Sequence, residues 1–178
     1  MDLKGIRLCG FGGQGIILAG VILGHAAILD GRWVAGSSSY GAQARGGYAR
    51  SDVVIADEPI VFPHVIRADI LIALSQQAYD RYIEEIAPYA MVLFEQQMVA
   101  VKALEGVRQV GIPATLRAIE ETDEKQAANM VMLGAAVALT KAVSKEALLL
   151  GVRESVDERF FASNLKSVKV GFSIGEKR

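Results

Sequence analysis

Apolar positions along this chain fall into short runs separated by long, helically spaced stretches, and the alternation predicts an α/β order. Ile6-Arg7-Leu8-Cys9 reads as a first strand, and Gly15 to Leu29, apolar except for His25, as a buried helix closed by Asp30-Gly31. Arg32 to Gly36 gives a second strand, and Ser51 to Ala56 a third before the turn Asp57-Glu58-Pro59. Ile70 to Leu74 is a strand. Ser75 then caps a helix whose Tyr79, Tyr82, Ile83 and Ile86 share one face until Pro88 stops it. Met91 to Phe94 is another buried strand, and Glu95 at its end reads as solvated. Val107 to Ile112 is one more strand.

The last third is helical. Pro113 opens a short helix through Glu121, and Asp123 with Gln126 resembles a capping box before a helix from Lys125 to Val143. Ser144 caps the next helix. Ser155 with Glu158 caps another, striped by Phe161, Leu165, Val168 and Phe172, with Phe160 beside the stripe. These elements predict a single Rossmann-like three-layer domain over residues 1–178, with a central mixed sheet and a helical C-terminal third.

GFGGQG, Gly10 to Gly15, joins the first strand to the first helix with the spacing G-x-G-x-x-G at Gly10, Gly12 and Gly15. That spacing suits a tight turn, close backbone approach to a phosphate and close helix–strand packing. A dinucleotide site also needs an acid at the end of the second strand, where the ribose lies. Here that strand runs into Ser37-Ser38-Ser39-Tyr40, so the loop suits a phosphate while NAD is disfavoured. Ser37 to Arg50, SSSYGAQARGGYAR, shows no period of 2 or 3.6 and reads as a long loop. Within it Arg45, followed by Gly46 and Gly47, offers a bidentate fork to an anion with room for close approach. Ligands of open α/β sheets bind beyond the carboxyl ends of strands, so both loops are expected to converge there.

Composition narrows the function further. The 178 residues carry a net charge of −1 and are 52% hydrophobic, with no basic cluster interleaved with aromatics, which argues against nucleic acid as partner. Gly15 to Leu29 is too short to span a bilayer, and GFGGQG interrupts any signal-peptide pattern. One cysteine, Cys9, suits a reducing, cytoplasmic setting. With two histidines, His25 and His64, it supplies too few ligands for an iron–sulfur cluster or a structural zinc. No nucleophile with its base, paired carboxylates or metal loop stands out, so the chain reads as a binding domain without a complete catalytic set. His25 is expected to be a core histidine. Asn129 interrupts a buried helix and needs partners for its amide, from neighbouring backbone or from a ligand.

GFGGQGIILAG, SYGAQARGGYARSDVVI, ADILIAL and NMVMLGA, in that order and spacing, resemble the gamma subunit of 2-oxoacid:ferredoxin oxidoreductases, over nearly the whole chain. The compact length is most similar to the 2-oxoglutarate type; the indolepyruvate enzyme's beta-type subunit carries a similar domain, and a structural adaptor is the other alternative. The resemblance implies a complex that decarboxylates a 2-oxoacid on thiamine diphosphate, passes electrons through iron–sulfur clusters to ferredoxin and releases an acyl-coenzyme A. It places those cofactors on alpha, beta and ferredoxin-like partner subunits. To this chain it gives coenzyme A binding and a cover over the active site, with Gly12, Gly13, Gln14, Gly15, Ser38, Arg45, Gly46, Gly47 and Asn129 as candidate contacts.

Overall fold

A computed structural model describes residues 3–41 and 47–178. Its centre is a six-stranded sheet in the order β2-β3-β1-β4-β5-β6. The strands are β1 (Leu3–Phe11), β2 (Trp33–Tyr40), β3 (Tyr48–Ala56), β4 (Ala68–Ala73), β5 (Ile86–Glu95) and β6 (Arg108–Ile112). β1, β4, β5 and β6 run parallel, whereas β3 is antiparallel to both β1 and β2. The sheet is therefore mixed, as the sequence predicts.

The helices are α1 (Ile16–Leu29), α2 (Gln76–Tyr82), α3 (Ala114–Thr122), α4 (Ala128–Thr140), α5 (Lys145–Ser155) and α6 (Glu158–Gly175). Even-numbered β1 residues Ile6 and Leu8 face a large core shared with α1, α3, α4, α5 and α6. Odd-numbered Cys9 faces the opposite core, where Tyr79, Tyr82 and Ile83 of α2 and its C-terminal end pack on Leu71, Ala73 and Val92. This two-sided burial makes the parallel strands nearly continuous apolar runs, which is why they are legible in sequence.

Helix contacts rely on missing side chains. A Cβ at Gly134 of α4 would lie 2.2 Å from the Val168 carbonyl oxygen of α6, and one at Gly171 of α6 2.1 Å from the Val131 carbonyl oxygen. Backbones touch there, whereas Gly20 of α1 makes room for a side chain of β3: a Cβ at that position would lie 2.0 Å from the Ser51 hydroxyl.

Several boundaries differ from the sequence reading, each for a physical reason. The stretch Ser37 to Arg50 is not one long loop: Ser37–Tyr40 continues β2, and Tyr48–Arg50 begins β3. β2 is an edge strand exposed over most of its length, so burial imposes no alternation on its sequence. The α2 stripe is correctly placed, but the helix ends at Tyr82 and Ile86 belongs to β5. Pro88 sits inside β5, where the β4–β5 register shifts between the pairs Ala68↔Ile86 and Ile70↔Met91. An irregular ladder tolerates a residue without an N–H. The predicted capping box at Asp123 and Gln126 does not form: Asp123 ends α3 with φ 57°, and a 3-10 turn over Lys125–Ala127 precedes α4. Ser155 closes α5, and Asp157 caps α6 instead, its carboxylate accepting from the Arg159 N–H. Ser75 and Ser144 cap α2 and α5 as expected.

Gly171→Ala should destabilise the protein by about 1–3 kcal/mol, because the added methyl forces two touching backbones apart even though alanine favours helix. Urea unfolding followed by circular dichroism measures it, and an unchanged midpoint would contradict the close α4–α6 approach.

Candidate functional site

The glycine loop leaves the carboxyl end of β1 at the centre of the sheet. Its turn is closed by the Gln14 N–H donating to the Phe11 carbonyl at 3.1 Å, with Gly13 and Gly15 left-handed at φ 96° and 68°. Glycine reaches that region without the Cβ penalty other residues incur. The Gln14 amide folds back over the strand: its Oε1 accepts from the Phe11 N–H at 2.7 Å, and its Nε2 donates to the Leu74 carbonyl at 3.1 Å. Gly10 makes room for this, since a Cβ there would lie 2.4 Å from Gln14 Oε1.

The Gly12 N–H donates to the Gly47 carbonyl at 2.8 Å, bringing the glycine loop and the end of the β2–β3 hairpin together as anticipated. Arg45 and Gly46 lie outside the described residues. Asn129, in the first turn of α4 and only 5% exposed, donates from Nδ2 to the Gly15 carbonyl at 3.1 Å, while its Oδ1 accepts from the Met130 N–H at 2.8 Å. Its amide is thus satisfied by backbone, one of the two possibilities left open above. Ser38 lies apart on the exposed edge strand, its hydroxyl 3.5 Å from that of Ser51.

Two hollows flank the loop beyond the strand ends, and Gly13 and Gln126 line both. The smaller, about 210 Å³, is bounded by Leu74, Glu95, Thr115 and Lys125. The larger, about 610 Å³, lies among Gly15, Leu18, Asn129, Val156 and Phe160, and is mostly apolar. The amino ends of α1 and α4 both lie at this edge, α1 without a side-chain cap and α4 with its Met130 N–H taken by Asn129, so the positive ends of two helix dipoles are gathered beside the loop.

Glu95 corrects the sequence reading. It is 1% exposed rather than solvated, with Oε2 accepting from Gln97 N–H at 2.8 Å and Oε1 from Thr115 N–H at 3.2 Å. The carboxylate caps α3 from the end of β5, which fixes the far wall of the smaller hollow. His25 is half-exposed on α1, not a core histidine, and its Nε2 stands 2.9 Å from Glu154. His64 is exposed and edge-on to the Phe62 ring at 5.3 Å. Among the described residues, no group of three or more His, Cys, Asp or Glu side chains is arranged to hold a metal. No helix there is long and apolar enough to cross a membrane.

On the α2 side of the sheet lies a cluster that sequence reasoning missed. Arg7, 2% exposed, forms a fork with Asp52 across the β1–β3 pair, Nε to Oδ1 at 2.9 Å and Nη2 to Oδ2 at 3.0 Å. It also donates to Glu85 and to the Val65 carbonyl. Burial acts to lower the Arg7 pKa, but the Asp52 carboxylate, with Glu85 behind it, outweighs burial and leaves it raised. Arg7, Arg50 and Arg81 all pack on the Tyr82 ring, 5.1 to 5.7 Å from its centre. The only available signal was a charged residue inside each of two apolar runs, IRLC and SDVVIA. Cys9, fully buried two pairs further along on the same face, has its thiol pushed up by that burial, which keeps it protonated and unreactive.

The sequence of residues 5–174 matches the family model described as pyruvate ferredoxin/flavodoxin oxidoreductase. The chain belongs to this family. It is 46% identical over 177 residues to the 2-oxoglutarate synthase subunit KorC of Methanocaldococcus jannaschii, covering 98% of this chain and 95% of that one. The crystal structure of a keto/oxoacid ferredoxin oxidoreductase gamma subunit from Geobacter sulfurreducens superposes with TM-score 0.87 at 36% identity, covering 98% and 99% of the two chains. The fold also recurs, at 24% identity and TM-score 0.89, in 32% of a chain of Magnetococcus marinus 2-oxoglutarate:ferredoxin oxidoreductase. The protein is thus a gamma-type subunit of a 2-oxoacid:ferredoxin oxidoreductase.

Asp52→Ala should cost this subunit about 3 kcal/mol, because it removes the buried fork and leaves the guanidinium only Glu85 and the Val65 carbonyl. The double variant Arg7→Met, Asp52→Leu should recover most of that loss. Denaturant unfolding of the three proteins checks both; equal stability of Asp52→Ala and the parent would remove the pair from the account of the fold.

Proposed function

We propose that this gamma-type subunit serves a 2-oxoglutarate:ferredoxin oxidoreductase, assembling as one domain of residues 1–178 with alpha, beta and ferredoxin-like subunits. In this reading its carboxyl-edge groove receives coenzyme A and covers the active site. One observation carries the ligand: the bare backbone of Gly13 and Gly15 lines the mouth of an apolar hollow at the amino end of α1, which has no side-chain cap. Main-chain N–H groups with a helix dipole behind them suit phosphate, and an apolar hollow suits the remainder of an amphiphilic ligand. Gly13 and Gly15 would offer main-chain N–H groups, since those of Gly12 and Gln14 are taken by the Gly47 and Phe11 carbonyls, and Arg45 would add the charged grip on the phosphate.

The 2-oxoglutarate assignment is supported by the KorC relative, whose name specifies that substrate. The Magnetococcus marinus structure holds 2-oxoglutarate, coenzyme A and succinyl-CoA in the protein that contains this fold. Thiamine diphosphate and the iron–sulfur clusters fall to the partners in this proposal, with ferredoxin taking the electrons. A single cysteine cannot ligate a cluster that uses about four thiolates.

The test is kinetic, on the assembled complex. Arg45→Ala should remove a charge-assisted bond of about 1.5–3 kcal/mol, raising the apparent KM for coenzyme A by roughly 10- to 150-fold. Arg45→Lys should recover part of it, keeping the charge and losing the fork. An unchanged KM in an intact complex makes the hairpin a docking surface rather than a ligand contact. Coenzyme A-dependent dye reduction should run with 2-oxoglutarate in strong preference to pyruvate, and the reverse preference overturns the substrate.

A further inference from the structure

Helix α1 begins at a residue that cannot be changed without disturbing another helix. Gly15 is its N-cap, left-handed at φ 68°, and its carbonyl accepts twice: from the Ala19 N–H at 3.0 Å within α1, and from Asn129 Nδ2 at 3.1 Å in α4. A Cβ at position 15 would lie 2.2 Å from that same nitrogen. The two residues are therefore fitted to each other, 114 positions apart in sequence.

Both polar atoms of the Asn129 amide have protein partners, since its Oδ1 also accepts from the Met130 N–H. Met130 N–H is one of the first-turn donors of α4 that would otherwise face the groove unpaired. One side chain thus closes part of the amino end of α4 and grips the amino end of α1. The opposite flank of the loop is held by the second amide, Gln14, on the Leu74 carbonyl at the end of β4.

We infer that Asn129 is a positioning residue: it fixes the aim of the glycine loop and the first turn of α1 at the groove without itself contacting the ligand. The inference rests on the coenzyme A reading for its ligand, but not for its mechanics. α4 supplies the fixed reference because its Gly134 and Gly171 contacts with α6 leave it no room to shift. Loss of the grip should leave the groove in place and the loop free to wander within it, lowering affinity for whatever the loop binds.

Asn129→Asp and Asn129→Ala separate this from a packing role. Aspartate keeps the shape and an acceptor for Met130 N–H, but sets a carboxylate oxygen against the Gly15 carbonyl; alanine only removes the grip. In the assembled complex, amide hydrogen exchange over residues 12–19 should quicken in both variants, and at least as much in the aspartate one. The apparent KM for coenzyme A should rise about tenfold, the worth of one lost hydrogen bond to a buried group. The KM for the 2-oxoacid should stay within twofold of the parent. Unchanged exchange in Asn129→Asp, or damage in the alanine variant alone, overturns the positioning role, since side-chain volume would then be what matters. Quickened exchange with an unchanged KM for coenzyme A upholds the grip and instead overturns coenzyme A as the ligand of this loop.

Discussion

Contact between the backbones of α4 and α6 sets the frame in which everything else at this site is placed. Gly134 meets the Val168 carbonyl and Gly171 the Val131 carbonyl, so the helix axes approach as closely as main chains allow. Dense packing of this kind has few alternative arrangements, because any displacement opens a void or creates an overlap. α4 is buried along most of its length and carries Asn129 at its amino end. The position of the glycine loop is thus inherited from the α4–α6 pair through Asn129. Glu95 extends the same logic to the other wall, tying the end of β5 to the start of α3.

The sheet is registered by a different device. Arg7 and Asp52 are direct partners in the β1–β3 pairing and point to the same face. A slip of one residue would turn Arg7 to the opposite face from its carboxylate and bury a charge unpaired, at a cost of several kcal/mol. An antiparallel strand inserted beside β1 has no crossover helix to dictate its register, so a side-chain lock is informative there. That lock places Gly47 opposite Gly12, and so makes the hairpin part of the same edge as the glycine loop.

Legibility in the sequence followed burial. β1, β4 and β5 were readable because both faces are covered and their apolar runs are nearly unbroken, α1 because of its length and the Asp30-Gly31 stop, and α6 because of its apolar stripe, although its cap was placed two residues early. β2 was lost: a serine-rich edge strand has no buried face to impose a period, and so Ser37 to Tyr40 resembled loop. Pro88 misled because the ladder is irregular just where it sits. At the site, the spacing of Gly10, Gly12 and Gly15 identified the loop, and the resemblance identified the family. The partners of Gln14, Asn129 and Glu95 were out of reach, being 60, 114 and 20 residues away in the chain. Arg7 and Asp52 were hidden for the same reason, each looking like a stray charge in a strand.

The glycine spacing also shows how one pattern can serve a different end. In a dinucleotide site the three glycines serve the tight turn, the approach of pyrophosphate and helix packing. Here the first gives way to the Gln14 side chain, the third to Asn129, and the N–H of the second is taken by Gly47. Much of what a bound cofactor would satisfy is satisfied by the protein, and the loop arrives preorganised instead of collapsing around a resident ligand. A preformed loop suits a substrate that must enter and leave at each turnover, because ordering the site at every encounter would cost affinity. The end of β2, Ser37-Ser38-Ser39-Tyr40, carries no acid, so the glycine spacing stands here without the ribose-gripping half of a dinucleotide site.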